Sequence, residues 1–282
     1  MIRHLKSLLL IIIVISLGIC IYYSFYMQPA EKQESIEYLS VGVAENVKLI
    51  IVYDNNPYDS RLKTAWGFSC IVNISNTLIL FDTGGDPDIL LYNMEMLNIS
   101  VQSIQIIVLS HIHGDHVGGL FGVLSLNSNV TVYVLSSFPS DFKNEIKSYG
   151  CEVIEVSNAT KVYNGVATTG ELGNAIKEQS LIINSTKGLI IVTGCAHPGI
   201  VNIAEKAKQL IGNDIYLVIG GFHLAGKSED EISSIIQQLK DLGVQKVAPC
   251  HCSGDLARDM FRQEFGDDYI EVGVGSIIEI DC

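Results

Sequence analysis

Basic residues are scarce in this sequence of 282 residues. Lys and Arg together number 18 against 31 Asp and Glu, which gives a formal net charge of −13. A nucleic-acid-binding protein needs basic side chains to displace the counterions of the phosphate backbone. The sequence therefore argues against a nucleic-acid partner, and against a nuclease in particular.

The sequence also lacks a low-complexity linker that would divide it into two globular domains. Residues 28–46 are polar and are expected to form a stalk. Residues 47–282, about 240 in number, then suit one α/β domain with an ample core. The seven cysteines are odd in number and do not form a disulfide framework.

One long hydrophobic run stands out near the N-terminus. Arg3, His4 and Lys6 precede residues 8–27, which contain no charged side chain. About 20 apolar residues suffice to cross a bilayer, and basic residues before such a run keep the N-terminus in the cytoplasm. Residues 1–27 are therefore expected to anchor the domain on the extracytoplasmic side of a membrane. A cleaved signal peptide is the alternative, although no small-x-small cleavage site follows the run.

Strand and helix signals alternate through the rest of the chain. Short apolar, β-branched runs predict strands at residues 48–53, 68–74, 77–81, 104–109, 130–135, 181–183, 189–193, 215–219 and 246–248. Ser228 and Glu231 form a capping-box pattern that begins a helix, and Gly243 ends it. A second helix is expected at about residues 202–211. This order indicates a layered α/β domain with mixed sheets.

Six histidines lie at or just after the end of a predicted strand: His111, His113, His116, His197, His223 and His251. Strand ends in α/β sheets are where functional sites are built. Histidines that serve only the core would not be placed so regularly.

The densest cluster is Ser110-His111-Ile112-His113-Gly114-Asp115-His116. In an extended segment His111 and His113 point the same way and can share one ion. A turn at Gly114 lets Asp115 and His116 face a second ion. Imidazole and carboxylate together suit Zn, Fe or Mn better than Ca or Mg. The alternative, a satisfied polar turn, would have to offset a burial cost of several kcal/mol.

This motif, with residues 80–84 before it and Gly118-Gly119-Leu120 after it, resembles the metallo-β-lactamase superfamily. Segments 66–69, 93–97, 194–199, 220–224 and 251–254 resemble, in order, one branch of metal-dependent hydrolases. That branch includes the archaeal 7,8-dihydropterin-6-methyl-4-(β-D-ribofuranosyl)-aminobenzene-5'-phosphate synthase. The resemblance implies a four-layer αββα sandwich over residues 46–282, with a dinuclear metal site along one edge.

The resemblance also implies further metal ligands. Members of the superfamily take a third His and a bridging Asp from segments that follow the motif, but this sequence has no His between His116 and His197. Cys195 or His197 is expected to replace the missing His, the bridging Asp, or both. For Cys195 the alternative is a small buried residue. His251 is expected to bind the second metal, with a core histidine as the alternative.

Three further positions have expected roles near the metals. Asp82 is expected to accept a hydrogen bond from a metal-bound imidazole, with a turn-forming Asp as the alternative. His223 is expected to stabilise an oxyanion or act as general acid, with metal ligation as the alternative. Gly114 departs from the branch, which commonly carries an aromatic residue there.

The function expected from these residues is that of a hydrolase with two divalent ions, Zn first and Fe or Mn as alternatives. A hydroxide that bridges the ions would attack a phosphoester or another small anionic ester, and Asp115 would orient it. One alternative is a transferase similar to the dihydropterin synthase. The other is a small-molecule binder or sensor that retains metal without turnover.

Overall fold

The computed structural model describes residues 15–19, 21–24 and 38–280. The chain divides into two units between residues 37 and 38. In the first unit residues 15–19 and 21–24 are helical, and the rest of the expected anchor at residues 8–27 lies outside the described residues. No helix within the described ranges has the length and apolar character that a bilayer crossing requires.

The second unit contains two β-sheets. Its strands are β1 (Val47–Tyr53), β2 (Ser69–Ile74), β3 (Thr77–Phe81), β4 (Ile104–Val108), β5 (Thr131–Leu135), β6 (Glu152–Val156), β7 (Asn158–Tyr163), β8 (Val166–Gly170), β9 (Leu181–Ser185), β10 (Gly188–Thr193), β11 (Ile215–Gly221), β12 (Lys246–Cys250) and β13 (Ile277–Ile280). One sheet has the order β13-β1-β2-β3-β4-β5-β6 and the other has the order β12-β11-β10-β9-β8-β7.

Helices lie between many of these strands. They are α1 (Pro87–Met96), α2 (Gly114–Val117), α3 (Leu120–Leu126), α4 (Ser140–Ser148), α5 (Ile200–Ile211), α6 (Glu229–Asp241) and α7 (Asp255–Phe265). Ser228 caps α6 with the expected capping box. Asp86 caps α1 by accepting hydrogen bonds from two backbone N–H groups, and Pro87 occupies the first turn.

Alternation along the strands builds the layers. In β10, Ile190 and Val192 pack in the core that the two sheets share, whereas Leu189 and Ile191 pack in a second core with α5, α6 and α7. Successive side chains of a strand point to opposite faces, so β10 is apolar on both faces because both are covered. The described domain is thus a layered sandwich in which helices cover the sheets.

The nine strands predicted from the sequence are confirmed, each to within two residues at either end. Strands β6, β7, β8 and β13 were not predicted. Glu152–Val156 and Asn158–Tyr163 are edge strands of their sheets and carry polar residues on partly exposed faces. Such strands have no continuous apolar run, which was the pattern used to predict the others.

The segment before β1 differs from the expected stalk. Residues 38–46 belong to the second compact unit, and Val41 and Ala44 are buried. The Ala44 N–H donates to the Asn184 carbonyl at 2.8 Å, and the Leu39 N–H donates to the Leu210 carbonyl at 2.7 Å. Apolar side chains within a polar stretch therefore attach this segment to the domain.

Buried Asn93 connects α1 to the loop that follows β1. Its Nδ2 donates to the carbonyls of Val52 and Lys63 at 3.0 and 2.9 Å, and its Oδ1 accepts from the Lys63 N–H at 2.8 Å. The Asn93 side chain is fully buried, as is its hydrogen bond to the Val52 carbonyl, and buried polar groups normally have such partners. Asn93 thus fixes the loop over residues 54–66, which leads into the candidate site.

We expect Asn93→Ala to lower the free energy of unfolding by about 2–4 kcal/mol, because each buried polar group left without a partner costs about 1–3 kcal/mol. Urea denaturation of the full chain measures the change. Asn144→Ala, on an exposed position of α4, is the matched control and should change stability by less than about 0.5 kcal/mol. Equal effects of the two substitutions would contradict the assignment.

Candidate metal centre

The strand ends of both sheets meet at the residues selected from the sequence. His111 and its neighbours follow β4, Cys195 and His197 follow β10, His223 follows β11, and His251 follows β12. Strands β3 and β4 are parallel, as are β10, β11 and β12. The carboxyl ends of parallel strands lie at one edge of a sheet, so the loops converge there.

A first donor group surrounds His197. His111, Cys195 and His197 each offer one ligand atom, and these atoms lie within 4.8 Å of one another. His113 joins the group, with its Nδ1 at 3.0 Å from His111 Nε2 and its ring centroid at 5.0 Å from that of His197. Four donors from two loops therefore face one volume.

A second donor group surrounds His116. His116, Cys195 and His251 also offer ligand atoms within 4.8 Å of one another. Cys195 Sγ and His251 Nε2 both lie 3.2 Å from His116 Nε2. Asp115 Oδ2 lies 3.3 Å from His251 Nε2 and 3.6 Å from His116 Nε2. This group also contains four donors.

Cys195 belongs to both groups. A single thiol therefore lies within reach of the donors of both groups. The sequence left open whether Cys195 or His197 takes the place of the missing His and the bridging Asp. In the structure, Cys195 lies between the groups and His197 completes the first one.

Two observations indicate that these residues suit divalent transition metals. His197 Nε2 is buried and has no hydrogen-bond partner among the described residues, and a buried polar atom normally has one. Imidazole, thiolate and carboxylate are also the donors that Zn and Fe prefer in proteins. An ion in the first group would supply the partner that His197 Nε2 lacks.

Asp82 orients the motif from behind. Its Oδ2 lies 2.7 Å from His116 Nδ1, and both of its oxygens accept from Ser110, one from the N–H and one from Oγ, at 2.7 Å. Ser110 Oγ also lies 2.9 Å from His111 Nδ1. Gly194 is required beside them, because a Cβ there would lie 2.2 Å from Ser110 Oγ. The contact to Asp82 leaves His116 Nε2 for a metal.

Asn55 has the corresponding position behind His251. Asn55 Oδ1 lies 2.9 Å from His251 Nδ1, and its Nδ2 donates to the His251 carbonyl at 3.3 Å. No local pattern marks the contact, because 196 positions separate the two partners.

Backbone strain is concentrated at the same edge. Eight described residues other than glycine have a positive φ, and four of them are Asp82, Ala196, His223 and His251, at 57°, 58°, 53° and 47°. Each such conformation costs of order 1–3 kcal/mol and persists only where the surroundings enforce it. The loops are therefore held in conformations that local preference does not favour.

The surroundings shift the pKa of His111 and that of His116 in opposite directions. Burial lowers the pKa of His111 well below its usual range, and the neighbouring imidazoles add to this effect. Burial acts on His116 in the same direction, but the Asp82 carboxylate outweighs it and raises the pKa. Burial would raise the pKa of Asp115, yet the hydrogen bond from His251 and the charge of His116 lower it overall. His111 is thus a neutral imidazole and Asp115 a carboxylate, the forms that bind metal.

His223 lies at the open side of the centre. Its ring centroid is 4.4 Å from that of His197, and its side chain is exposed. Both histidines line a cavity of about 380 Å³ that is also bounded by α5, α6 and Lys227. They also line a second cavity, of about 370 Å³, together with residues 173–176. His223 also forms a third donor group with Cys195 and Cys252. The geometry is thus compatible with contact to a substrate and with metal ligation.

Comparisons with known proteins agree with this geometry. The model of the metallo-beta-lactamase superfamily matches residues 67–153. A relative from the archaeon Methanocaldococcus jannaschii, named 7,8-dihydropterin-6-methyl-4-(beta-D-ribofuranosyl)-aminobenzene-5'-phosphate synthase, is 32% identical over 86% of this chain and 99% of its own length. An uncharacterized protein of the same organism is 29% identical over 82% of this chain and 99% of its own length.

Solved structures of similar fold include a metal-dependent hydrolase of the beta-lactamase superfamily. It is 27% identical, covers 84% of this chain and 100% of its own, and superposes with a TM-score of 0.72. A diphosphatase of the PhnP family covers 84% of this chain and 98% of its own, with a TM-score of 0.60 and 16% identity, which shows likeness of fold alone. The two sheets, the converging donor loops and the identity to the archaeal synthase lead to one conclusion: this chain belongs to the metallo-beta-lactamase superfamily.

Proposed function

We propose that the chain is a hydrolase that uses two divalent metal ions to cleave a small anionic phosphoester. The observation that carries the proposal is the pair of four-donor groups that share Cys195. A donor shared by two sets of ligands suits two neighbouring ions, and a single metal would leave half of these side chains without a role. The name of the hydrolase at 27% identity supports the same reaction class.

The ligands of the two ions follow from the groups. His111, His113 and His197 would hold the first ion, and Asp115, His116 and His251 the second, with Cys195 shared. The thiolate favours Zn, with Fe or Mn as alternatives. When bound, such ions make water a nucleophile near neutral pH and stabilise the negative charge that develops on the attacked group.

The protein itself would orient and protonate the substrate. Asp115 reaches both His116 and His251 and can hold a nucleophile on that side. His223 is exposed beside His197 and can donate a proton to the departing oxygen. Lys227 lines the adjoining cavity and would attract an anionic group.

A synthase-like transfer is the second candidate. The identity of 32% to the archaeal dihydropterin synthase, over most of both chains, favours it. The same metals and the same His223 would serve a transfer with a different acceptor. Incubation with the substrates of that relative would detect the transfer product, whereas a hydrolase releases only fragments formed with water.

We expect the purified full chain to bind two equivalents of transition metal and to hydrolyse bis(4-nitrophenyl) phosphate. A chelator should abolish turnover, and Zn should restore it. Loss of a residue that only orients a metal ligand costs about 10–100-fold in metal affinity. Asp115→Asn should weaken metal binding by more than that, because it removes a charged ligand. Asp141→Asn, at an exposed position of α4, should change nothing.

Elemental analysis and release of nitrophenolate are the measurements. Less than about one equivalent of metal in the wild type would contradict a centre that needs two ions. Two equivalents without turnover of any phosphoester would favour the third candidate, a metal-retaining binder or sensor.

We expect His223→Gln to lower kcat by about 10²–10⁴-fold on diphenyl phosphate, whose leaving group needs a proton, and much less on bis(4-nitrophenyl) phosphate. Metal content should remain at two equivalents. His197→Gln, the neighbouring imidazole, should instead lower metal content. If His223→Gln releases metal, the residue is a ligand together with Cys195 and Cys252, and its role as general acid is refuted.

We further infer from the sequence that residues 8–27 anchor the domain on the extracytoplasmic side of a membrane. The charge-free apolar run and the basic residues before it support this inference. Washing membranes at alkaline pH should leave the full chain in the pellet, as immunoblotting would detect, whereas a variant without residues 1–37 should appear in the supernatant. Complete release of the full chain would refute the anchor.

A further inference from the structure

Glu178 is a fully buried carboxylate beside the candidate metal centre. Its oxygens accept hydrogen bonds from three consecutive backbone N–H groups: from Cys195 at 2.9 Å, from Ala196 at 2.8 Å and from His197 at 2.8 Å. We propose that Glu178 is a positioning residue that holds the Cys195–His197 segment in the conformation needed to bind both ions. The proposal rests on the proposed metal centre and assigns one more residue to it.

The next residue, Gln179, is hydrogen-bonded to the segment that leads into His111. Gln179 is also fully buried. Its backbone N–H donates to the Ser110 carbonyl at 2.9 Å, and its Nε2 donates to the Leu109 carbonyl at 2.9 Å. Ser110 directly precedes His111. Glu178 and Gln179 therefore attach the two ligand segments to one dipeptide, which fixes their separation.

The Cys195–His197 segment needs such a partner. Ala196 has a φ of 58°, a conformation that costs a non-glycine residue of order 1–3 kcal/mol unless its surroundings enforce it. Three successive N–H groups that point to one side form a concave anion site, and a carboxylate accepts such bonds more strongly than a neutral group. A buried carboxylate is itself costly and is retained only where it is fully hydrogen-bonded. The contacts to all three N–H groups meet that condition.

Glu178 also borders a loop that lines a cavity beside the candidate metal centre. Its backbone pairs with Leu172 in both directions, at 3.0 and 2.9 Å. The loop over residues 173–176, enclosed by this pair, lines the cavity that contains His197 and His223. One residue thus connects the cavity wall to the segment that carries Cys195 and His197.

The test compares Glu178→Gln with Glu171→Gln in the full chain. An amide cannot accept at both positions, so Glu178→Gln loses at least one bond to the segment. Glu171 undergoes the same chemical change, but its carboxylate accepts from the Ser137 N–H, away from the metal ligands. Competition with a chelator measures Zn affinity. The thiolate-to-cobalt charge-transfer absorption of the Co(II)-loaded protein reports whether a cysteine binds, and its loss in Cys195→Ser would assign the band to Cys195 rather than Cys252.

We expect Glu178→Gln to weaken Zn binding by about 10–100-fold and to reduce or shift the charge-transfer band. Glu178→Asp, which keeps the charge, should retain part of both properties, and Glu171→Gln should match the wild type. Zn affinity within twofold of wild type together with an unchanged cobalt spectrum would overturn the proposal. If Glu178→Gln does not fold, the same criteria apply to Glu178→Asp.

Turnover takes no part in these measurements. A wild-type chain that binds two ions but hydrolyses no phosphoester would refute the proposed function, and the variants would still decide the role of Glu178.

Discussion

The position of the Cys195 thiol is the constraint on which the rest of the site depends. Its sulfur must lie within reach of His111 and His197 on one side and of His116 and His251 on the other. These histidines come from loops that follow strands of two different sheets. The packing of the two sheets over their common core, with Ile190 and Val192 facing inward from β10, therefore determines whether the two donor groups exist.

Sheet packing alone does not fix the loops, because four positions at this edge have backbone conformations that isolated residues avoid. Buried polar contacts supply the remaining constraint. Asp82 holds His116 and Ser110, Asn55 holds His251, and Glu178 holds the Cys195–His197 segment. Each of these three side chains is hydrogen-bonded to a residue of a donor loop, so removing one would leave buried polar groups without a partner. The same bonds that stabilise the loops therefore orient the donors.

The sequence predicted the parts of this arrangement that have a local pattern. Apolar runs located nine strands, and the capping box of Ser228 located α6. The spacing of His111, His113, Asp115 and His116 indicated a metal site because the motif is contiguous. Asn55 and Glu178 have no such pattern. Asn55 contacts a residue 196 positions away, and Glu178 contacts residues 17–19 positions away. Only the register of the sheets brings these partners together. A single Glu in a polar loop gives no sign that three N–H groups will surround it.

Gly114 bears on how much space lies beside the donors. A Cβ built there would have no neighbour within 4 Å, so a side chain at this position would project into open space beside His113 and Asp115. The branch commonly carries an aromatic residue here, and its absence leaves that space free. Gly194, in contrast, is required by close packing against Ser110. The first glycine therefore leaves open space beside two of the donors, whereas the second allows close packing behind them. The donors can accordingly be those of the superfamily while the space beside them differs from that of members with a larger side chain at this position.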